Sequence, residues 1–158
     1  MLNPNNPYFL EMKRIGHEYE ERRAAHQAKK QTIADTFGYD SPEMEAWRTE
    51  KESIKFPFTT GQHKAYRAWA ESVARQEDEL EMSDSCWESE WHDFIAALRA
   101  AGIGTMVVTC QSTGLLEDLF GYTAQGCTMQ GLCTITRHEN RWGDEESYEV
   151  LGIRFQIN

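Results

Sequence analysis

The spacing of apolar residues changes once along the chain, at Ala101-Gly102-Ile103-Gly104, and that change constrains what the chain can fold into. Before it, bulky side chains return every three to four residues, the period of a helix with one buried stripe. After it come TMVVTC, MQGLCTITR and a last segment in which Leu151, Ile153, Phe155 and Ile157 alternate with Val150, Gly152, Arg154 and Gln156. β-Branched runs and period-two alternation are strand signatures. The order predicts an α+β protein. A helical region of about three helices spans residues 1–82, and an α-β-α-β-β unit spans 83–158.

Start and stop signals divide the first part. Asn6-Pro7 opens a long helix with Tyr8, Met12, Ile15 and Tyr19, then Ile33 and Phe37, as its apolar positions. Between them Arg22, Arg23, His26 and Lys30 stand where apolar residues are due, so the middle of this helix is expected to be solvated or covered by an acidic partner. Ser41-Pro42 restarts the chain as a helix, with Ser at the cap and Pro at the first position. Thr59 or Thr60 opens a third, whose face carries Tyr66, Trp69, Val73 and Leu80. Ser83 to Ser85 opens a fourth, with Trp87, Trp91, Phe94, Ile95, Leu98 and Ala101 on one stripe.

In the second part a short helix around Leu115, Leu116, Leu119, Phe120 and Thr123 joins two strands, which predicts that they run parallel. Asn140 to Asp144 turns the chain into an antiparallel last strand, for a three-stranded mixed sheet in total. A chain of 158 residues, 40% hydrophobic, can bury one core. It has no run of about 18 apolar residues, and MLNPNNPYFLEMKR lacks the basic-then-apolar order of a signal peptide. A cytoplasmic protein without membrane contact is expected. Cys86, Cys110, Cys127 and Cys133 form no C-x-x-C and no zinc-type alternation with His. They read as buried free thiols, and no metal or other cofactor is expected.

Charge is unevenly placed. The formal net charge is −10, and residues 76–93 hold eight acids (Glu77, Asp78, Glu79, Glu81, Asp84, Glu88, Glu90, Asp93) with no Lys or Arg. The run lacks the central Gly of a calcium loop. It is interleaved with Met82, Trp87 and Trp91, and the two tryptophans are core if their stripe is buried or partner anchors if it is exposed. Carboxylates on a rigid aromatic-anchored helix imitate a phosphate track and suit a basic groove on a nucleic-acid enzyme. Arg22, Arg23, Lys29 and Lys30 repeat at seven residues and share a helical face. They are a candidate contact for an acidic partner or for nucleic acid, although the net charge opposes direct nucleic-acid binding.

Cys110-Gln111-Ser112-Thr113-Gly114 marks a strand-to-helix elbow, where free backbone N–H groups suit a nucleophile or a small ligand. Cys110 or Ser112 is the candidate nucleophile and His92 or His138 the candidate base. The hydrolase, phosphatase and Walker patterns are all incomplete here. The alternative is structural: Ser112 or Thr113 caps the helix, or Gly114 stands at the cap, with Glu117 and Asp118 answering the helix dipole.

Residues 101–135 resemble an uncharacterised domain found in small accessory proteins of bacterial mobile elements. The matching residues are Gln111, Ser112, Thr113, Leu115, Leu116, Gly126, Gly131 and Leu132. The resemblance implies no catalytic residue. It implies a setting in which small acidic inhibitors, anti-CRISPR proteins among them, are common. The expected function is therefore a non-enzymatic, protein-binding inhibitor. Its acidic surface, Glu77, Asp78, Glu79, Glu81, Asp84, Glu88 and Glu90, would compete with nucleic acid on a bacterial defence nuclease, with a CRISPR effector as candidate partner. An uncovered sheet face also invites a homodimer.

Overall fold

A computed structural model describes residues 2–141 and 143–158, with residues 140, 141, 144 and 145 as backbone only. Two compact units are present: residues 10–57, and residues 58–158 together with the N-terminal residues through Phe9. The turn expected over Asn140–Asp144 includes Trp142, which lies outside the described residues.

The smaller unit holds most of α1 (Pro7–Phe37) and all of α2 (Pro42–Ser53). Ser41 caps α2 by accepting from the Met44 N–H at 3.1 Å, with Pro42 at the first position. Ala34, Met44 and Trp47 form its core, with Ile33 packed against them. The middle of α1 is not uniformly solvated. His26 is buried, its ring stacked on Trp47 at 4.6 Å, and the Trp47 Nε1–H donates to the His26 carbonyl at 2.9 Å. The polar position that broke the apolar stripe is filled by a flat ring matched to the indole.

The larger unit contains α3 (Thr60–Ala74), β1 (Leu80–Met82), α4 (Glu88–Ala100), β2 (Thr105–Val108), α5 (Leu115–Ala124), β3 (Thr128–Arg141) and β4 (Asp144–Gln156). A reciprocal capping box between Thr59 and Gln62 starts α3. The fold is α+β, with a four-stranded mixed sheet in the order β1-β2-β4-β3. β1 pairs parallel to β2, while β4 pairs antiparallel to both β2 and β3.

Two expectations need correction. The sheet has four strands because Leu80-Glu81-Met82 forms one; Leu80 belongs to this strand and not to the third helix. β2 and β3 run in the same direction, as expected, with β4 between them. The fourth helix begins at Glu88, so Trp87 is its N-cap residue and lies outside the buried stripe.

Leu80, Met82, Met106, Val108 and Phe155 are buried on one side of the sheet. There Phe94 of α4 and Phe155 of β4 both meet the fully buried Tyr122 of α5 at 5.8 Å. The other side carries the row Glu81, Val107, Arg154 and Gly131. Three strand spacings, about 14 Å, separate β1 from β3 in a flat sheet. Yet Arg137 of β3 bonds Glu81 of β1, so the twisted β3–β4 hairpin carries its outer half across this second face. A register shift between Met129 and Gly131, with Gly131 at φ +119°, supplies the bend.

Candidate functional site

The segment Ser85-Cys86-Trp87 joins β1 to α4, and a charged side chain from each of three helices holds its backbone. Lys64 of α3 donates from Nζ to the Ser85 carbonyl at 2.5 Å. Asp118 of α5 accepts from the Cys86 N–H at 3.1 Å. Glu90 of α4 accepts from the Trp87 N–H at 2.8 Å, and its Oε2 also meets Lys64 Nζ at 2.7 Å. Glu90 and Asp118 are buried, where an ionised group persists only if paired or hydrogen-bonded. Burial opposes the charge on Lys64, but the hydrogen bond to Glu90 and the surrounding negative groups outweigh it and raise its pKa above the ordinary value. Burial pushes the Asp118 carboxyl up, against hydrogen bonds from Trp91 and the Cys86 N–H.

On this pinned segment the Trp87 side chain is 75% exposed. It borders a cleft of about 300 Å³ whose opposite wall is Ser112-Thr113-Gly114, with Glu117 alongside. Leu116 and Phe120, one turn apart on α5, are 71% and 79% exposed. Asp84, Glu88 and Glu117 are exposed as well. The elbow and part of the acidic run therefore meet at one place, around an indole.

The second tryptophan behaves differently. Trp91 donates from Nε1 to Asp118 Oδ1 at 3.0 Å, and its ring lies directly over Gly121. A Cβ on Gly121 would stand 2.1 Å from Trp91 Cδ2, so only glycine lets α5 come this close to α4.

A family model described as a domain of unknown function (DUF7698) matches residues 64–157, more than half of the chain. The chain belongs to this family. No curated protein and no solved structure matches it. The DUF7698 segment opens at Lys64 and takes in all three side chains that hold residues 85–87, the elbow and the whole sheet.

The acidic run does not form one helix surface. Glu81 is buried and bonded to Arg75, Arg137 and Thr109. Glu77 is buried beside Arg75 at 3.4 Å, Glu79 pairs with Arg154 at 2.6 Å, and Glu90 pairs with Lys64. Asp78 is exposed, and Asp93 meets His92 at 2.9 Å. The protein's own cations thus occupy Glu77, Glu79 and Glu81, beside or within strand β1, and Glu90, which α4 turns toward Lys64 of α3.

In the smaller unit Arg23 meets Glu20 at 3.4 Å, Lys29 meets Glu50 at 3.6 Å, and Lys30 lies 5.6 Å over the Trp47 ring; Arg22 is exposed. At the elbow Gly114 is the N-cap of α5, and neither Ser112 nor Thr113 supplies a side-chain cap. Cys110 Sγ and Ser112 Oγ hydrogen-bond each other at 3.0 Å, and Gln111 is exposed. His92 bonds Asp93, while His138 lines a different cleft, beside Glu77–Glu79. The nucleophile–base pair of the enzymatic expectation is therefore not assembled. Burial pushes the Cys86 thiol up to about 12, which keeps it protonated. Among the described residues no group of three or more His, Cys, Asp and Glu could hold a metal ion, and no helix is long and apolar enough to cross a membrane.

Lys64 and the orienting role of Asp118 were not read from the sequence. Lys64 is the last lysine in the chain, which marks it as unusual. Asp118 carried the ordinary signature of a first-turn acid on a helix, which hid its contacts with Cys86 and Trp91.

Proposed function

We propose that the protein acts by binding another protein, through Trp87 and the exposed residues around it, and that it is a non-enzymatic inhibitor. Trp87 carries the proposal. A large aromatic side chain left three-quarters exposed, on a backbone fixed by Lys64, Glu90 and Asp118, is an anchor whose ordering cost has been met before contact. Asp84, Glu88 and Glu117 give it a negative rim, which fits a partner with an apolar pocket bordered by Lys or Arg. A nucleic-acid groove of a bacterial defence nuclease has that chemistry, and a CRISPR effector is the leading candidate. On this reading the protein is encoded by a mobile element, works in the host cytoplasm, and blocks access of nucleic acid to the groove.

On this reading the competing surface lies around Trp87, because Glu77, Glu79 and Glu81 are paired with the protein's own arginines. Charge reversal at Glu77 or Glu81 would disrupt folding and so test nothing about binding. The informative variant is Trp87→Ala, because its side chain is exposed. Affinity for a captured nuclease, measured by biolayer interferometry, is expected to fall about thirtyfold, the ~2 kcal/mol of a hot-spot residue. Asp84→Lys with Glu88→Lys should weaken binding further. Full inhibition by both variants would remove the proposal.

A further inference from the structure

Glu77 and Glu81 converge on one arginine nitrogen. Arg75 Nη1 lies 3.4 Å from Glu77 Oε1 and 2.7 Å from Glu81 Oε2, and both carboxyl groups are almost wholly buried. Glu81 is the saturated member: Arg75, Arg137 and Thr109 all bond it. Glu77 is not: the Ser72 hydroxyl and Arg75 act on its carboxyl group, but its Oε2 is buried with no hydrogen-bond partner among the described residues. A carboxyl oxygen beside a neighbouring carboxylate becomes satisfied once it carries a proton and donates it.

Charged and polar groups from several elements surround the pair. α3 contributes Arg67 and Glu71, with the Ser72 hydroxyl, and Arg75 stands at its C-cap; β1 contributes Glu81; Thr109, just after β2, contributes its hydroxyl; β3 contributes Arg137, which also meets Tyr148 of β4. Glu71 is partly exposed and also meets Arg67 at 3.4 Å, so the buried Glu77 and Glu81 have Arg75 and Arg137 between them. Of the two, Glu81 takes the nearer arginine contacts, from Arg75 at 2.7 Å and from Arg137, while Glu77 meets Arg75 at the longer distance of 3.4 Å.

The pair lies where segment 76–79 and the outer half of the β3–β4 hairpin meet the sheet. Gln76, at φ +58°, turns the chain out of α3, and the Glu77 N–H returns to the Ser72 carbonyl at 3.0 Å. Residues 76–79 then form one wall of a cleft of about 550 Å³, and Thr134–Thr136 with His138 of the hairpin form the other. Across it Arg154 holds Glu79, and Arg137 holds Glu81.

We propose that Glu77 and Glu81 share one proton, and that this proton latches segment 76–79 and the outer hairpin to the sheet, so that its loss to solvent loosens both and opens the cleft. Burial first, then the Glu81 carboxylate, pushes Glu77 up to about 7. For Glu81 burial acts upward too, but the bonds from Arg137 and Thr109 outweigh it and hold the carboxyl below its usual range. The latch is therefore closed below neutrality and released above it. An unfolded glutamate loses its proton near its ordinary value of about 4.3. Between that value and 7 the folded chain binds more protons, so stability falls as pH rises and the loss is complete above 7.

Hydrogen exchange on the whole protein at pH 6 and pH 8, corrected for intrinsic rates, tests this. Protection at residues 76–79 and 134–138 should drop at least tenfold at pH 8 in the wild type. Glu77→Gln, whose amide can donate to Glu81 without titrating, should show no drop, and His138→Gln should behave as the wild type. Should Glu77→Gln fail to fold, the carboxyl 13C titration of wild-type Glu77 decides. A midpoint below pH 5 overturns the latch, as do equal protection at the two pH values, an unchanged drop in Glu77→Gln, or its disappearance in His138→Gln.

Discussion

At the scale of single residues, the contact of Trp91 with Gly121 sets how closely α4 and α5 approach. The indole occupies the volume that any side chain at 121 would need. Gly121→Ala is therefore expected to lower stability by about 1–3 kcal/mol, the usual cost of overpacking a dense core, read as a lower urea midpoint with an unchanged slope. Trp91 on its stripe was legible from helical spacing alone. Its partner was not, because a glycine within a predicted helix gives no sign of what lies over it. Asp118 does lie in the first turn of α5, but its further contacts are hidden for a related reason: first-turn acids on helices are common, and nothing local distinguishes one facing solvent from one that accepts the Cys86 N–H and the Trp91 indole. Trp87 shows the converse, since its spacing fitted the stripe while the helix began one residue later.

At the scale of elements, short connections carry much of the fold's polar chemistry. The stretch between β1 and α4 has no regular hydrogen-bond ladder, and Lys64, Asp118 and Glu90 provide what a ladder would. Lys64→Met removes the cation from buried Glu90 and the donor from the Ser85 carbonyl. Its expected cost is about 3 kcal/mol, that of breaking a buried ion pair by removing one partner, measured by urea unfolding. The longer helices and β2 to β4 were legible because caps and periodicity are local signals. β1 was not. In Leu80-Glu81-Met82 the central carboxylate reads as solvated, yet it is buried by bonds to Thr109 and Arg137, far away in sequence. The same distance explains the place of β4: alternation marks a strand as half-buried but does not say which neighbours it takes.

At the scale of the whole molecule, a formal charge of −10 remains after many acids have found internal partners, and it sets long-range behaviour. Association through the Trp87 surface should show this field in its kinetics. Raising salt from 50 to 500 mM is expected to slow the on-rate for a basic partner at least tenfold and to change the off-rate less, as stopped-flow binding would show; an on-rate independent of salt would exclude electrostatic steering. The charge imbalance was legible in the sequence, but its distribution was not, since composition does not reveal which carboxylates the protein's own arginines hold. The strand order has a further consequence for biosynthesis. β2 takes its hydrogen bonds from β1 on one side and from residues 153–156 on the other. While a ribosome is still adding residues beyond α5, β2 is already out, and the apolar edge of Met106 and Val108 stays bare until β4 is made and slots in beside it. For that interval the nascent chain offers an open template to any passing strand, and a chaperone that shields it until residues 153–156 emerge would raise the yield of folded protein.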